Sequence, residues 1–85
     1  MIINLSQTTS IQELHQLFKE QLGFPDFYGM NWDAFWDAIT GLVEMPKDLG
    51  LEGFDIFKSN FPNDAQILKD LIHEYNKNYG QIEIK

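Results

Sequence analysis

Two aspartates four residues apart, Asp33 and Asp37, stand beside two tryptophans with the same spacing, Trp32 and Trp36. Four residues are about one helical turn, so on a helix the carboxylates share one stripe and the indoles a neighbouring one. At about 100° per residue from Trp32, Trp36 falls near 40°, Thr40 near 80°, Asp33 near 100° and Asp37 near 140°. Neither acid has a lysine one turn further on. The pair repels itself at a cost of a few tenths of a kcal/mol. Asp33, close to the helix start, is partly offset by the amide dipoles there, whereas Asp37 is not. A fixed anion at the border of an indole has the chemistry of a contact surface: the charge suits a cation and the ring suits an interface centre.

Other chemistries fit less well. His15 and His73 read as surface or capping histidines rather than bases. The chain has no cysteine, which removes disulfides, thiolate metal sites and a cysteine nucleophile together. Two carboxylates on one turn supply too few oxygens for a dedicated divalent-cation site. A glycosidase cleft needs more chain than 85 residues. Ser6, Ser10 and Ser59 follow Leu5, Thr9 and Lys58, so none is the serine after an acid that an acyl-carrier-like protein requires. Nucleophile elbows, phosphate-cradling loops and zinc motifs are absent. The expectation is a protein without catalysis, cofactor or metal.

Charge narrows the partner. Thirteen acids face six lysines and no arginine, a formal net charge of −7. Between Lys19 and Lys47 there is no basic residue, while Glu20, Asp26, Asp33, Asp37 and Glu44 all fall there. Nucleic acid and anionic membrane need a basic footprint and are disfavoured; a basic protein is the complement. No apolar run approaches the ~20 residues of a membrane span. Met1–Leu5 has neither the basic stretch nor the long apolar segment of a leader peptide. A cytoplasmic, monomeric, single domain spanning 1–85 is expected.

The elements that must position the acids are readable from periodicity. Met1–Leu5 and Gln81–Lys85 alternate as strands, and Leu49–Leu51 as a short one. Ser10 and Glu13 form a capping box for a helix that runs to Leu22 and stops at Gly23. Phe24–Met30 is a loop. Asn31 caps a second helix reaching about Thr40, with Gly41 as its stop. Phe54–Asn60 is a short helix. Pro62 opens a long one with Ala65, Leu68, Leu71, Ile72, Tyr75 and Tyr79 on one face, stopping at Gly80. Within the second helix Ala34, Phe35, Ala38 and Ile39 are the core side, with both tryptophans at the border. Strand, two helices, strand, two helices, strand is an α/β pattern with a small parallel sheet.

The run Pro25-Asp26-Phe27-Tyr28-Gly29-Met30-Asn31-Trp32-Asp33-Ala34-Phe35-Trp36-Asp37-Ala38-Ile39-Thr40-Gly41 resembles the signature of the barstar family, intracellular inhibitors of barnase-type ribonucleases. The order of strands and helices over the whole chain fits the same family. The resemblance implies a three-stranded parallel sheet packed with about four helices. It implies an antitoxin whose second helix and preceding loop plug the cleft of a basic, extracellular-type ribonuclease. Asp37 then stands where substrate phosphate binds, and Asp33 pairs with an arginine. Thr40 and Gly41 meet the enzyme's edge, Gly29 and Asn31 shape the loop, and Trp36 packs at the rim. Phe27 replaces the second tyrosine beside Tyr28, Leu42 replaces a tryptophan, Trp32 a leucine and Met30 an acid. Glu44 and, in the last helix, Glu74 complete the implied contact set. These changes surround the two aspartates and imply a different cognate enzyme. The alternative is a non-inhibitory acidic module that docks another basic protein.

Overall fold

The computed structural model describes residues 1–85. In chain order the elements are β1 (Ile2–Asn4), α1 (Ile11–Leu22), α2 (Trp32–Asp37) continuing into a π turn (Ala38–Leu42), β2 (Leu49–Glu52), α3 (Phe54–Asn60), α4 (Pro62–Asn78) and β3 (Ile82–Ile84). The three strands pair in parallel in the order β1-β2-β3, the expected α/β architecture. The chain forms two compact units, Met1–Thr8 with Pro46–Lys85, and Thr9–Met45. No helix is long and apolar enough to cross a membrane.

The first unit is built on the sheet. Ile2 pairs with Gly50 and Ile3 with Leu51, while Leu49 pairs with Ile82 and Leu51 with Ile84. Alternation sends Ile3 inward while Ile2 and Asn4 stay exposed. β2, the central strand, buries Leu49, Gly50 and Leu51 in succession. A Cβ at Gly50 would lie 2.8 Å from the Cδ1 of exposed Ile2, so the tip of that side chain would have to shift. α3 and α4 bury Phe54, Phe57, Ala65, Leu68, Ile72 and Tyr75. Each such large apolar side chain contributes about 1.5–3 kcal/mol relative to exposure. The end of the last helix departs from expectation. α4 ends at Asn78, Tyr79 has left helical geometry (φ −121, ψ −35), and its ring is 56% exposed, stacked on Tyr75 at 5.5 Å.

The second unit is helical. Ser10 Oγ accepts from the Glu13 N–H at 3.1 Å. The Glu13 carboxylate reaches back to the N–H and hydroxyl of Thr9. α1 closes at Gly23, whose φ of 71 lies in the left-handed region that glycine enters without a Cβ penalty. Its inner face is Leu14, His15, Phe18 and Leu22. His15, expected at the surface, is 1% exposed; positions 15, 18 and 22 share one helical face.

α2 starts at Asn31 as expected, but Gly41 does not end it. The helix widens over Ala38–Leu42, and the Val43 N–H bonds back to the Ala38 carbonyl at 3.2 Å. Two local causes coincide. The Thr40 hydroxyl donates to the Trp36 carbonyl at 2.7 Å, a back-bond that loosens helices. Gly41 is a weak helix former, and without a left-handed φ it cannot terminate the segment as a cap.

Candidate functional site

The stretch from Phe27 to Glu44 is continuous, and its foundation is aromatic. The Tyr28 N–H bonds to the Pro25 carbonyl at 2.9 Å, closing a tight turn. Tyr28 is 5% exposed, and its hydroxyl shares a 2.7 Å hydrogen bond with His15 Nδ1. Phe24 packs on Tyr28 at 4.7 Å, Trp32 edge-on to His15 at 4.6 Å, and Phe35 against Phe18 at 4.9 Å. Burial pushes the Tyr28 phenol well above the usual tyrosine range, because the charged form would lose its hydration. The loop is thereby fastened to α1 at Tyr28. The neighbouring Phe27 turns outward and is 75% exposed.

The approach to the helix is equally defined. Met30 has a φ of 55, in the region where a side chain is strained. It reverses the chain immediately before the cap. Asn31 then bonds in both directions: Oδ1 accepts from the Ala34 N–H at 2.7 Å, and Nδ2 donates to the Gly29 carbonyl at 3.1 Å. One carboxamide holds the end of the loop and the first turn in register.

On α2 the buried side is Phe35, Ala38 and Ile39, with Ala34, Trp32, Trp36 and Thr40 half-buried. Asp33 and Asp37 are both exposed. Neither is ion-paired within the chain, whose two ion pairs are Glu74–Lys77 and Glu83–Lys85. Asp33 sits in the first turn. The π turn presents Gly41 and Leu42 to solvent, followed by exposed Glu44. A Cβ added to Gly41 would meet nothing within 4 Å. Its lack of a side chain therefore answers to no neighbour in the fold.

The structure gathers Phe27, Tyr28, Gly29, Asn31, Trp32, Asp33, Trp36, Asp37, Thr40, Gly41, Leu42 and Glu44 into one compact unit. Glu74 lies in the other unit, exposed on α4 and 3.3 Å from Lys77. Tyr28 and Thr40 already spend their hydroxyls inside the chain. Sequence reasoning missed His15 as the support of the loop. The signal was present in its i, i+3, i+7 relation to Phe18 and Leu22. The left-handed turn at Met30 carries no comparable signal.

Comparison with known proteins gives the family. A family model described as Barstar (barnase inhibitor) matches residues 1–85. A Bacillus subtilis (strain 168) protein named "Putative ribonuclease inhibitor YrdF" is 36% identical over 74 residues, 87% of this chain and 81% of that protein. With a parallel three-stranded sheet, the matching signature and a match over its whole length, the chain belongs to the Barstar family.

Proposed function

We propose that this chain is a proteinaceous ribonuclease inhibitor of the antitoxin type. It acts in the cytoplasm as a monomer of one domain, 1–85, and blocks a basic, barnase-like ribonuclease without catalysis of its own. The observation that carries the reading is a pair of exposed carboxylates with no internal cation, on a helix whose opposite side is locked into an aromatic core.

A ribonuclease holds the phosphodiester with cationic and hydrogen-bonding groups aimed at developing negative charge. Asp37 placed there takes the phosphate's position and meets groups already organised for an anion. Asp33, one turn earlier, pairs with a neighbouring arginine. A buried charge pair is not favourable by default, since both partners lose hydration. Here the carboxylates are fixed in advance by the helix, so little ordering remains to be done on binding. Phe27 and Leu42 supply apolar contact, with Trp32 and Trp36 at the border. Gly41 admits close approach of the enzyme's edge, next to Thr40. Gly29, Asn31 and Tyr28 hold the loop in shape, and Glu44 contributes flanking charge. The acidic run from Glu20 to Glu44 steers a basic enzyme toward this side.

The test is titration of purified protein against a basic barnase-type ribonuclease with a fluorogenic RNA. Activity is expected to fall linearly to zero at one inhibitor per enzyme. The association rate should drop as salt rises from about 0.1 M to about 1 M, where the screening length shrinks from about 10 Å to about 3 Å. Full turnover in the presence of excess protein, across a panel of such enzymes, would leave the acidic-module alternative standing instead.

A further inference from the structure

β3 is an edge strand, since the sheet order is β1-β2-β3. The Lys85 N–H bonds to the Leu51 carbonyl at 2.8 Å. Residues 83 and 85 therefore turn their backbone groups toward β2, and Ile82 and Ile84 turn theirs away. Exposed outward groups of this kind are a template for another strand. The sequence Ile82-Glu83-Ile84 is rich in β-branched residues, has no proline, and so has nothing in its backbone to discourage pairing.

One of the two outward residues is nevertheless occupied. Asn76, on α4, donates from Nδ2 to the Ile82 carbonyl at 3.0 Å. Its Oδ1 accepts the Ile82 N–H at 2.7 Å. A single carboxamide thus offers Ile82 the donor and acceptor that a neighbouring strand would offer. Beyond it, Ile84 borders an open groove of about 280 Å³ that runs between Asn76, Ile72 and His73 of α4 and the strand.

We propose that Asn76 closes the β3 edge against a second copy of this chain. Two β3 strands related by a two-fold axis pair antiparallel, as isologous dimers do. The fuller register sets Ile82 against the partner's Ile84, makes four backbone bonds, and requires Ile82 to be free. With Ile82 held by Asn76, only Ile84 against Ile84 remains, with two bonds. Glu83 adds a second barrier, because the fuller register places the two Glu83 side chains directly opposite each other. Asn76 removes the hydrogen-bonding template of the fuller register, and Glu83 penalises that same register by like-charge repulsion.

The experiment compares wild type, Glu83→Gln and the double variant Asn76→Ala/Glu83→Gln by sedimentation equilibrium, with far-UV circular dichroism to establish folding. Wild type and Glu83→Gln are expected at the monomer mass of 9.9 kDa. The double variant is expected to shift with concentration toward twice that mass, and adding Ile84→Pro should return it to monomer by removing an outward N–H. A folded double variant that stays monomeric overturns the proposal. So does equal dimerisation of wild type or of Glu83→Gln, in which Asn76 is intact. Should the double variant not fold, amide exchange in wild type decides. The Ile82 N–H must exchange at least about tenfold more slowly than that of Ile84 after correction for intrinsic rates, and equal rates refute the role of Asn76.

Discussion

Replacing Asp37 with alanine separates folding from binding, because the two should respond with opposite sign. In the free chain Asp37 is exposed, has no internal cation and lies one turn after Asp33. Removing it relieves a like-charge repulsion of about 0.2–0.5 kcal/mol. It also replaces a poor helix former by the best one, worth up to about 0.7 kcal/mol. The π turn that follows weakens the propensity term, so the sum is about 0.5–1 kcal/mol of added stability. For a chain of this size that raises Tm by roughly 2–8 °C. In the proposed complex the same change leaves the enzyme's phosphate-binding cations buried without an anion, a loss of roughly 3–5 kcal/mol. Inhibition should weaken by about 10²–10⁴-fold. Differential scanning calorimetry of the free variant and a tight-binding inhibition assay read the two effects independently. A folded variant less stable than wild type by more than about 0.5 kcal/mol would assign Asp37 a duty inside its own chain. Unchanged inhibition would remove it from the contact surface.

Three further changes probe the supports of the same region. Gly41→Ala should be neutral or add up to about 1 kcal/mol to stability, since its backbone is ordinary and its surroundings empty; inhibition should fall, and calorimetry with the inhibition assay compares the two. Asn31→Ala should cost about 1 kcal/mol as a lost N-cap and free the Gly29 carbonyl, seen as a lower urea midpoint and faster amide exchange in the first turn of α2. Tyr28→Phe strips His15 Nδ1 of a buried partner and should cost about 1–3 kcal/mol in urea unfolding. The same tyrosine sets an alkaline limit. Its proton is held in the folded chain above the range where the unfolded chain releases it. Stability is therefore intact below about pH 10 and falls above it by at most about 1.4 kcal/mol per pH unit for each such tyrosine. Tyr75 is shifted in the same direction. Tyr28→Phe should make the alkaline slope shallower, and a slope equal to wild type would refute the assignment.

Much of this was readable in the sequence because the relevant signals are local. Ser10, Gly23 and Asn31 mark helix ends through chemistry confined to one turn, and the structure places caps at all three. Ile3 and Ile82 fall inward by period-two alternation. What escaped depends on partners distant in sequence or on competition within a turn. His15 is polar by type, and its burial becomes intelligible only with Tyr28 across from it at 2.7 Å. The π turn results from a hydroxyl outcompeting regular helix geometry, and no periodicity announces that outcome in advance. Tyr79 obeyed the 3.6-residue count, but the helix had ended one residue earlier. Asn76 is silent in sequence altogether, since its two bonds reach a strand six residues further on.

On α2, the residues that hold the fold and the residues that meet the outside are almost completely separate. Phe35, Ala38 and Ile39 are buried, while Asp33, Asp37, Gly41 and Leu42 are exposed. Such a division lets the outer set be rewritten without unfolding the inner one. Descendants of one scaffold can follow a changing adversary by substitutions at a few solvent-facing positions, while the aromatic foundation beneath them stays the same.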